Sequence, residues 1–479
     1  MVLQVPWKEK LGVGKRGPDL NAISFVVRIV PLCLFFHGNF SNTSRVLQGK
    51  ITVRNKITDT QKDLIHKVDN MRDEIFQAIQ DLVKIPSVVG HEEEAQEWMA
   101  KLYQSLGLSV EKVIPKTEDL IGHPAYFEIG FPYTPSRPNI VGTYPGTGSG
   151  KSLILNGHVD VVSPEPVETW DGGDPWSGRI EGNRLYGRGS ADMKSGLLAN
   201  FFALKALLDL ALKPTGKILL ESVVEEEAGG SGGTLALFLS GYRADGMIIP
   251  EPLDLKIIIA HPGVNYFRVK VYGKTAHAGQ SHFGINAIGK LAKIYDRLTA
   301  LDQERAARNR NPFFEKLTGR SCNLNIGTFK AGDWPSTVAG SAALDARISY
   351  LPNETEAGIK KEVEEVIREV TSKDEWMAEH PPEVEWFGWR ARPWVQDPEI
   401  PFIQQFRQTA AEVLSFVPET SATTAGLDTR FGPFFDVPSF VFGPVGGLLH
   451  CSNEYVELDS VIKTIKVLAC FVVDWCGVE

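Results

Sequence analysis

Cysteine is scarce: there are five in 479 residues, Cys33, Cys322, Cys451, Cys470 and Cys476, with no C-x-x-C spacing among them. This excludes a disulfide framework and a thiolate metal site, and makes a reducing compartment, the cytoplasm, the expectation. Long apolar runs are missing too. The best one, residues 23–36, is interrupted by Arg28 and Pro31 and falls short of the ~20 residues a membrane helix needs. Charge inside it and the absence of an A-x-A pattern after it also make it a poor signal peptide. Blocks of like charge do not occur, although the net charge is -9. That argues against nucleic acid or an anionic membrane as partner, and for chemistry on a small molecule or peptide. Repeats and low-complexity tracts are also lacking. Residues 1–66 show no clear amphipathic period and are expected to be a poorly ordered extension or an over-long start, with Met71 a candidate first residue. Asn39 and Asn42 head glycosylation tripeptides of a kind that is common by chance.

What is present is an ordinary globular composition, 43% hydrophobic and 23% charged, long enough for two or three domains. Residues 58–106 carry helical spacing around Ile75, Ile79, Leu82 and Val83, broken at Pro86. Strand-like runs at 139–142 and 153–155, an Ala- and Leu-rich helix at 195–212 and further strands at 217–220 and 246–249 then alternate as in an α/β sandwich. Residues 263–385 read as β-α-β-β-α-β, the size of a small α+β domain, inserted before the helix and strand of the last hundred residues.

The chemistry-bearing residues stand where apolar strands end. His158 and Asp160 follow the run at Leu153; Asp192 opens a helix after Gly187-Arg188-Gly189; Glu225, Glu226 and Glu227 follow another strand. Glu251 lies between Pro250 and Pro252, which restrict the backbone around it, and His450 sits on a glycine-rich loop. Open α/β sheets bind ligands beyond their strand C-termini, so these groups can share one cleft. Each has a bland reading: a hydrogen-bonded strand histidine, a helix-capping aspartate, a solvated acidic loop, a rigid surface turn.

Five blocks in order, GHVDVV, GRGSADMKSG, VVEEEAGGSGG, PEPLDL and LLHCSNE, resemble the M20 family of metallohydrolases, the group of acetylornithine deacetylase, succinyl-diaminopimelate desuccinylase and aminoacylase-1, over residues 71–477. The resemblance implies a zinc-aminopeptidase-like α/β/α catalytic domain, residues 67–262 and 386–479, with an inserted ferredoxin-like dimerisation and lid domain, residues 263–385. It implies two divalent metal ions, zinc first and cobalt second, bridged by Asp192, with His158 and Glu251 on one and Glu227 and His450 on the other. Imidazole and carboxylate donors suit those ions. Asp160 is expected to accept from the far nitrogen of His158, Glu226 to be the general base, and a cis peptide to follow Asp192. His277 matches a histidine that in relatives reaches a partner subunit's site, which implies a homodimer. Arg347 matches an arginine that can hold a substrate carboxylate, unless it only pairs with Asp345; Asn325 and Arg430 are further expected substrate contacts. The expected activity is hydrolysis of an N-acyl amino acid or related small N-acyl amine. A dipeptidase or carboxypeptidase is the nearer alternative, and a non-catalytic metal-binding protein the one of another class. The stretch Gly332-Asp333-Trp334-Pro335-Ser336-Thr337-Val338 departs from the Asn-x-Val-Pro of many relatives and looks like a subgroup that includes deformylases of aminopyrimidines.

Overall fold

The apolar run at Leu153 becomes a strand buried on both faces, and the rest of the fold is layered on it. The computed structural model describes residues 57–479; the run at 23–36, the glycosylation tripeptides and most of the expected extension lie outside the described residues. The last part of that extension is helical. Thr58 accepts from the backbone N–H of Gln61 while the Gln61 side chain accepts from that of Thr58, a reciprocal cap that starts α1 (Asp59–Asn70) and lets it bury Leu64 and Val68. Met71, the candidate start, is a buried joint between α1 and α2 (Arg72–Val83).

There follow α3 (Glu93–Ser105), β1 (Ser109–Val113), β2 (Asn139–Tyr144), β3 (Leu153–His158), α4 (Ser195–Asp209), β4 (Ile218–Val223), β5 (Met247–Ile249) and β6 (Ile257–Ile258). Next come β7 (Gly263–Tyr272), α5 (Ala287–Arg308), β8 (Leu324–Ala331), β9 (Ser341–Tyr350), α6 (Glu356–Ser372) and β10 (Glu383–Ala391). The chain ends with α7 (Pro401–Leu414), β11 (Thr420–Ser421), β12 (Ser439–Val441) and α8 (Leu458–Cys476).

One mixed sheet of eight strands has the order β1-β2-β4-β3-β5-β12-β6-β11. Its centre is parallel, β4 with β3, β3 with β5 and β5 with β12. Parallel strands need both faces covered, which is why they read as continuous apolar runs. Leu153 and Leu155 face one core with α4 and α8, and Ile154 faces another with Met247, Ile249 and Phe431. The result is the expected α/β/α layering.

A second sheet, β8-β9-β7-β10, is antiparallel throughout and carries α5 and α6 on one face. This is the ferredoxin-like β-α-β-β-α-β order. Strand parity divides β7: Phe267, Val269 and Val271 pack on the helices, and Val264, Tyr266 and Arg268 take the other face. The boundary expected at residue 385 falls inside β10, whose ladder to β7 continues to Ala391. The chain crosses between the two sheets twice, at Ala260–His261 and at Trp394–Val395, and these segments pair antiparallel.

Candidate metal centre and cleft

Three parallel strand ends bring the distant acidic and imidazole groups together. His158 ends β3 opposite Val223 of β4, and β5 lies on the other side of β3, so the segments after β4 and β5 emerge at the same edge. Asp192 enters from the loop before α4, after Gly189 in the left-handed region, and the Asp192-Met193 peptide is cis, as expected. His450, also at positive φ, reaches in from an exposed loop.

Two donor groups share Asp192. His158 Nε2 is 3.2 Å from Asp192 Oδ1 and 3.5 Å from Glu251 Oε1. His450 Nε2 is 3.4 Å from Asp192 Oδ2 and 2.9 Å from Glu227 Oε2. In each group the donor atoms lie within 4.8 Å of one another. Glu226 is buried beside them, its Oε2 3.9 Å from His158 Nε2 and its Oε1 without a partner.

The donor chemistry fits cations. His158 Nδ1 is 2.8 Å from the Asp160 carbonyl oxygen, which can only accept, so Nδ1 carries the hydrogen. In the neutral ring Nε2 then aims a lone pair at carboxylate oxygens, an arrangement that is repulsive unless positive charge lies between them. The carboxylates crowd one another as well. Burial, and then the neighbouring Asp192, push Glu251 up to about 8. Burial pushes Glu226 well above the usual carboxylate range against the pull of His158.

The supports differ in part from expectation. The bond that sets the His158 tautomer comes from the Asp160 backbone, whereas the Asp160 carboxylate is 3.7 Å from Nδ1 and instead accepts from the backbone N–H groups of Glu226 and Glu227 at 3.2 and 3.1 Å. The physical reason is that β3 stops at His158, so alternation no longer governs Asp160. Glu225 turns away from the donors, accepting from Gly232 N and Tyr133 Oη beside the buried Arg137–Glu92 pair. Glu454 was not foreseen as a support. Its carboxylate accepts from the backbone of Ala191 and Asp192 at 3.0 and 3.1 Å and pairs with Arg188, so it holds the Asp192 loop. Its position in the LLHCSNE block was the available signal.

Above the donors lies a cleft of about 710 Å³, roofed by the helix-free face of the second sheet. Asn325 and Arg347 line it, as expected. Arg347 does not pair with Asp345, which Arg268 holds at 2.7 Å; its described bond is to the Thr424 carbonyl at 3.2 Å. Arg430, also an expected substrate contact, is placed elsewhere. It is absent from the cleft lining and buried, donating to the carbonyls of Leu427 and Gly229 and lying 3.4 Å from Asp428, because those acceptors capture the guanidinium. His277 is also absent from the cleft lining; it sits at the surface of the second sheet's unit, where its Nδ1 accepts from Gly279 N. Tyr266, Phe387 and Trp389 line the roof and were not singled out from the sequence.

Known proteins share this chain's sequence pattern and fold. The model of peptidase family M20/M25/M40 matches residues 154–474. An N-formyl-4-amino-5-aminomethyl-2-methylpyrimidine deformylase from Halalkalibacterium halodurans is 29% identical over 448 residues, 87% of this chain and 97% of the relative. A protein of the same description from Bacillus subtilis is 27% identical over 86% of this chain and 96% of its own length. Among solved structures, the di-peptidase Dug1p from Saccharomyces cerevisiae superposes with a TM-score of 0.70 over 88% of this chain and 99% of its own, at 15% identity, a likeness of fold alone.

Proposed function

Since the chain belongs to peptidase family M20/M25/M40, hydrolases of amide bonds, we propose that it removes the acyl group from a small N-acyl amine, an N-formyl aminopyrimidine above all. The observation that carries the chemistry is the pair of donor groups sharing Asp192 with the partner-free Glu226 oxygen beside them. The substrate reading is supported by the two deformylase relatives, which match the chain over most of its length. In this reading His158, Asp192 and Glu251 hold one divalent ion and Asp192, Glu227 and His450 the other, with zinc expected and cobalt an alternative. When bound, such ions supply positive charge that polarises the scissile carbonyl and makes a water acidic near neutral pH.

Glu226 takes the proton of the attacking water on its carboxylate and returns it to the leaving nitrogen as the C–N bond breaks. Asp160 and Glu454 fix the backbone that presents Glu226, Glu227 and Asp192. Arg347 donates to an acceptor atom of the substrate. Because it meets no carboxylate among the described residues, an N-acyl amino acid whose carboxylate binds Arg347 is the second reading.

We further assign residues 263–391 as the inserted unit and propose a homodimer through it, His277 reaching the partner's cleft. Support comes from the apolar surface beside His277, where Phe283 and Trp334 are 63% and 67% exposed near the edge strand β8. A cytoplasmic location belongs to the same proposal; the four described cysteines are all free. The test is metal content and mass in solution of the purified protein, with amine release from N-formyl aminopyrimidine, N-acetyl and N-succinyl amino acids and dipeptides. About two metals per chain and metal-dependent release from the N-formyl compound are expected. Release only from N-acyl amino acids selects the second reading, and failure to bind metal after reconstitution overturns the site.

A further inference from the structure

The roof of the cleft carries more aromatic surface than the hydrolytic chemistry requires. On β7 and β10 strand parity alone would send alternate side chains to the helices, and it does so for Phe267 and Trp386. The ladder then breaks: Asn265 pairs with Arg390 and Tyr266 with Phe387, so that Gly388 and Trp389 form a bulge, with Gly388 at a φ of 57°. Phe387 and Trp389 share the cleft-face parity, opposite Trp386, and the bulge leaves Trp389 outside the ladder beside Tyr266; the centroids of the Trp389 and Phe387 rings lie 5.9 and 6.4 Å from that of Tyr266 at steep angles.

The wall is held from behind. The Arg268 guanidinium lies over Phe387 at 4.8 Å and that of Arg430 over Trp389 at 5.5 Å. Two glycines of the other domain make room for the indole: a Cβ on Gly229 would stand 2.9 Å from Trp389 Cδ1, and one on Gly426 2.5 Å from Cζ2. Gly229 follows Glu226 and Glu227 by only a few residues, so the wall rests against the loop that carries the base. Finally, Trp389 is 8% exposed, lines the cleft, and its Nε1–H has no acceptor. A buried donor without a partner is costly, and one lining a ligand cleft has a use when the ligand brings an acceptor.

We propose that Tyr266, Phe387 and Trp389 form a stacking subsite for the amine half of the substrate, selecting a flat, nitrogen-containing aromatic ring, with the Trp389 indole N–H donating to a ring acceptor. This rests on the deacylase reading above and adds which residues choose the amine. An aliphatic amine gains neither the stacking nor the hydrogen bond, and an α-carboxylate draws on Arg347 instead.

The test is calorimetric titration of the metal-loaded full-length protein with 4-amino-5-aminomethyl-2-methylpyrimidine, using n-hexylamine as the aliphatic control, for the wild type, Phe387→Leu and Trp389→Phe. Phe387 is only half-buried, so its loss spares the core, and Trp389→Phe keeps a ring while removing the N–H. Phe387→Leu is expected to weaken the pyrimidine about tenfold and Trp389→Phe about fivefold, with n-hexylamine unchanged. Absence of pyrimidine binding by the wild type, or equal losses for both amines, overturns the subsite. Turnover of the N-formyl pyrimidine, measured alongside, separates the two levels. A protein that binds the ring through this wall yet hydrolyses only N-acyl amino acids keeps the subsite and overturns the substrate reading. One that hydrolyses the N-formyl compound with kcat/KM unchanged in both variants does the reverse.

Discussion

The two sides of the cleft are built on opposite principles. The floor is polar and made at the ends of parallel strands, where backbone leaves the sheet and side chains such as His158, Glu227 and Glu251 converge. The roof is aromatic and made from the flat of an antiparallel sheet, where one face is given to α5 and α6 and the other to the cleft. A floor of this kind tolerates little change, because its donors are crowded carboxylates whose spacing a cation must match. A roof of alternating side chains can change its preference one residue at a time. On the proposed reading the floor governs the chemical step, and the roof governs which amine is accepted.

The largest effect that could break this division is at Glu226. Glu226→Gln keeps the shape and removes the proton acceptor, so kcat is expected to fall about a thousandfold while metal content and affinity for the ring amine stay at wild-type values. A large rise in KM with kcat retained would place Glu226 in substrate binding and dissolve the distinction. The second effect is smaller and concerns what holds the floor. Asp160→Asn leaves one of the Glu226 and Glu227 N–H groups without its acceptor. A loss of about ten- to a hundredfold is expected in kcat, with metal affinity weakened at the Glu227 and His450 side. Weakening confined to the His158 side would mean that the carboxylate works through the imidazole after all.

The same contrast explains what could be read in advance. The floor residues stand in contiguous blocks at strand ends, so His158, Asp192, Glu227, Glu251 and His450 could be named from GHVDVV, SADMK, VVEEEAGG, PEPLDL and LLHCSNE, as could the layering and the ferredoxin-like insert. Asp160 was expected to accept from His158, but sequence does not reveal that the Glu226 and Glu227 N–H groups lie within reach of its carboxylate. Arg430 was expected at the substrate, and sequence does not reveal that the Gly229 carbonyl, two hundred residues away, lies within its reach. The roof was not legible: Tyr266 and Trp389 are more than a hundred residues apart, and neither the pairing of their strands nor the bulge at Gly388 and Trp389 has an unambiguous mark in Glu383-Val384-Glu385-Trp386-Phe387-Gly388-Trp389.

The smallest effect concerns the join between floor and roof. His261 lies on the first of the two crossing segments, wholly buried against Trp394 of the second, with Nδ1 2.9 Å from the Pro262 carbonyl. Burial lowers its pKa from 6.5 to about 3, so the folded protein keeps the ring neutral through most of the acid range. Below pH 6.5 the unfolded chain takes up a proton that the folded chain refuses. The stability present in full above that pH therefore drains as pH falls toward the folded value, by about 1.4 kcal/mol per unit or roughly 2 kcal/mol at pH 5. Urea unfolding of the wild type and His261→Gln between pH 5 and 7.5 measures it. The wild type should lose more stability on acidification than the variant, with their midpoints converging as pH falls, and hydrolysis at pH 7.5 should change little. Parallel curves would mean that His261 protonates freely in the fold, and the crossing would then be a looser joint between floor and roof than its packing implies.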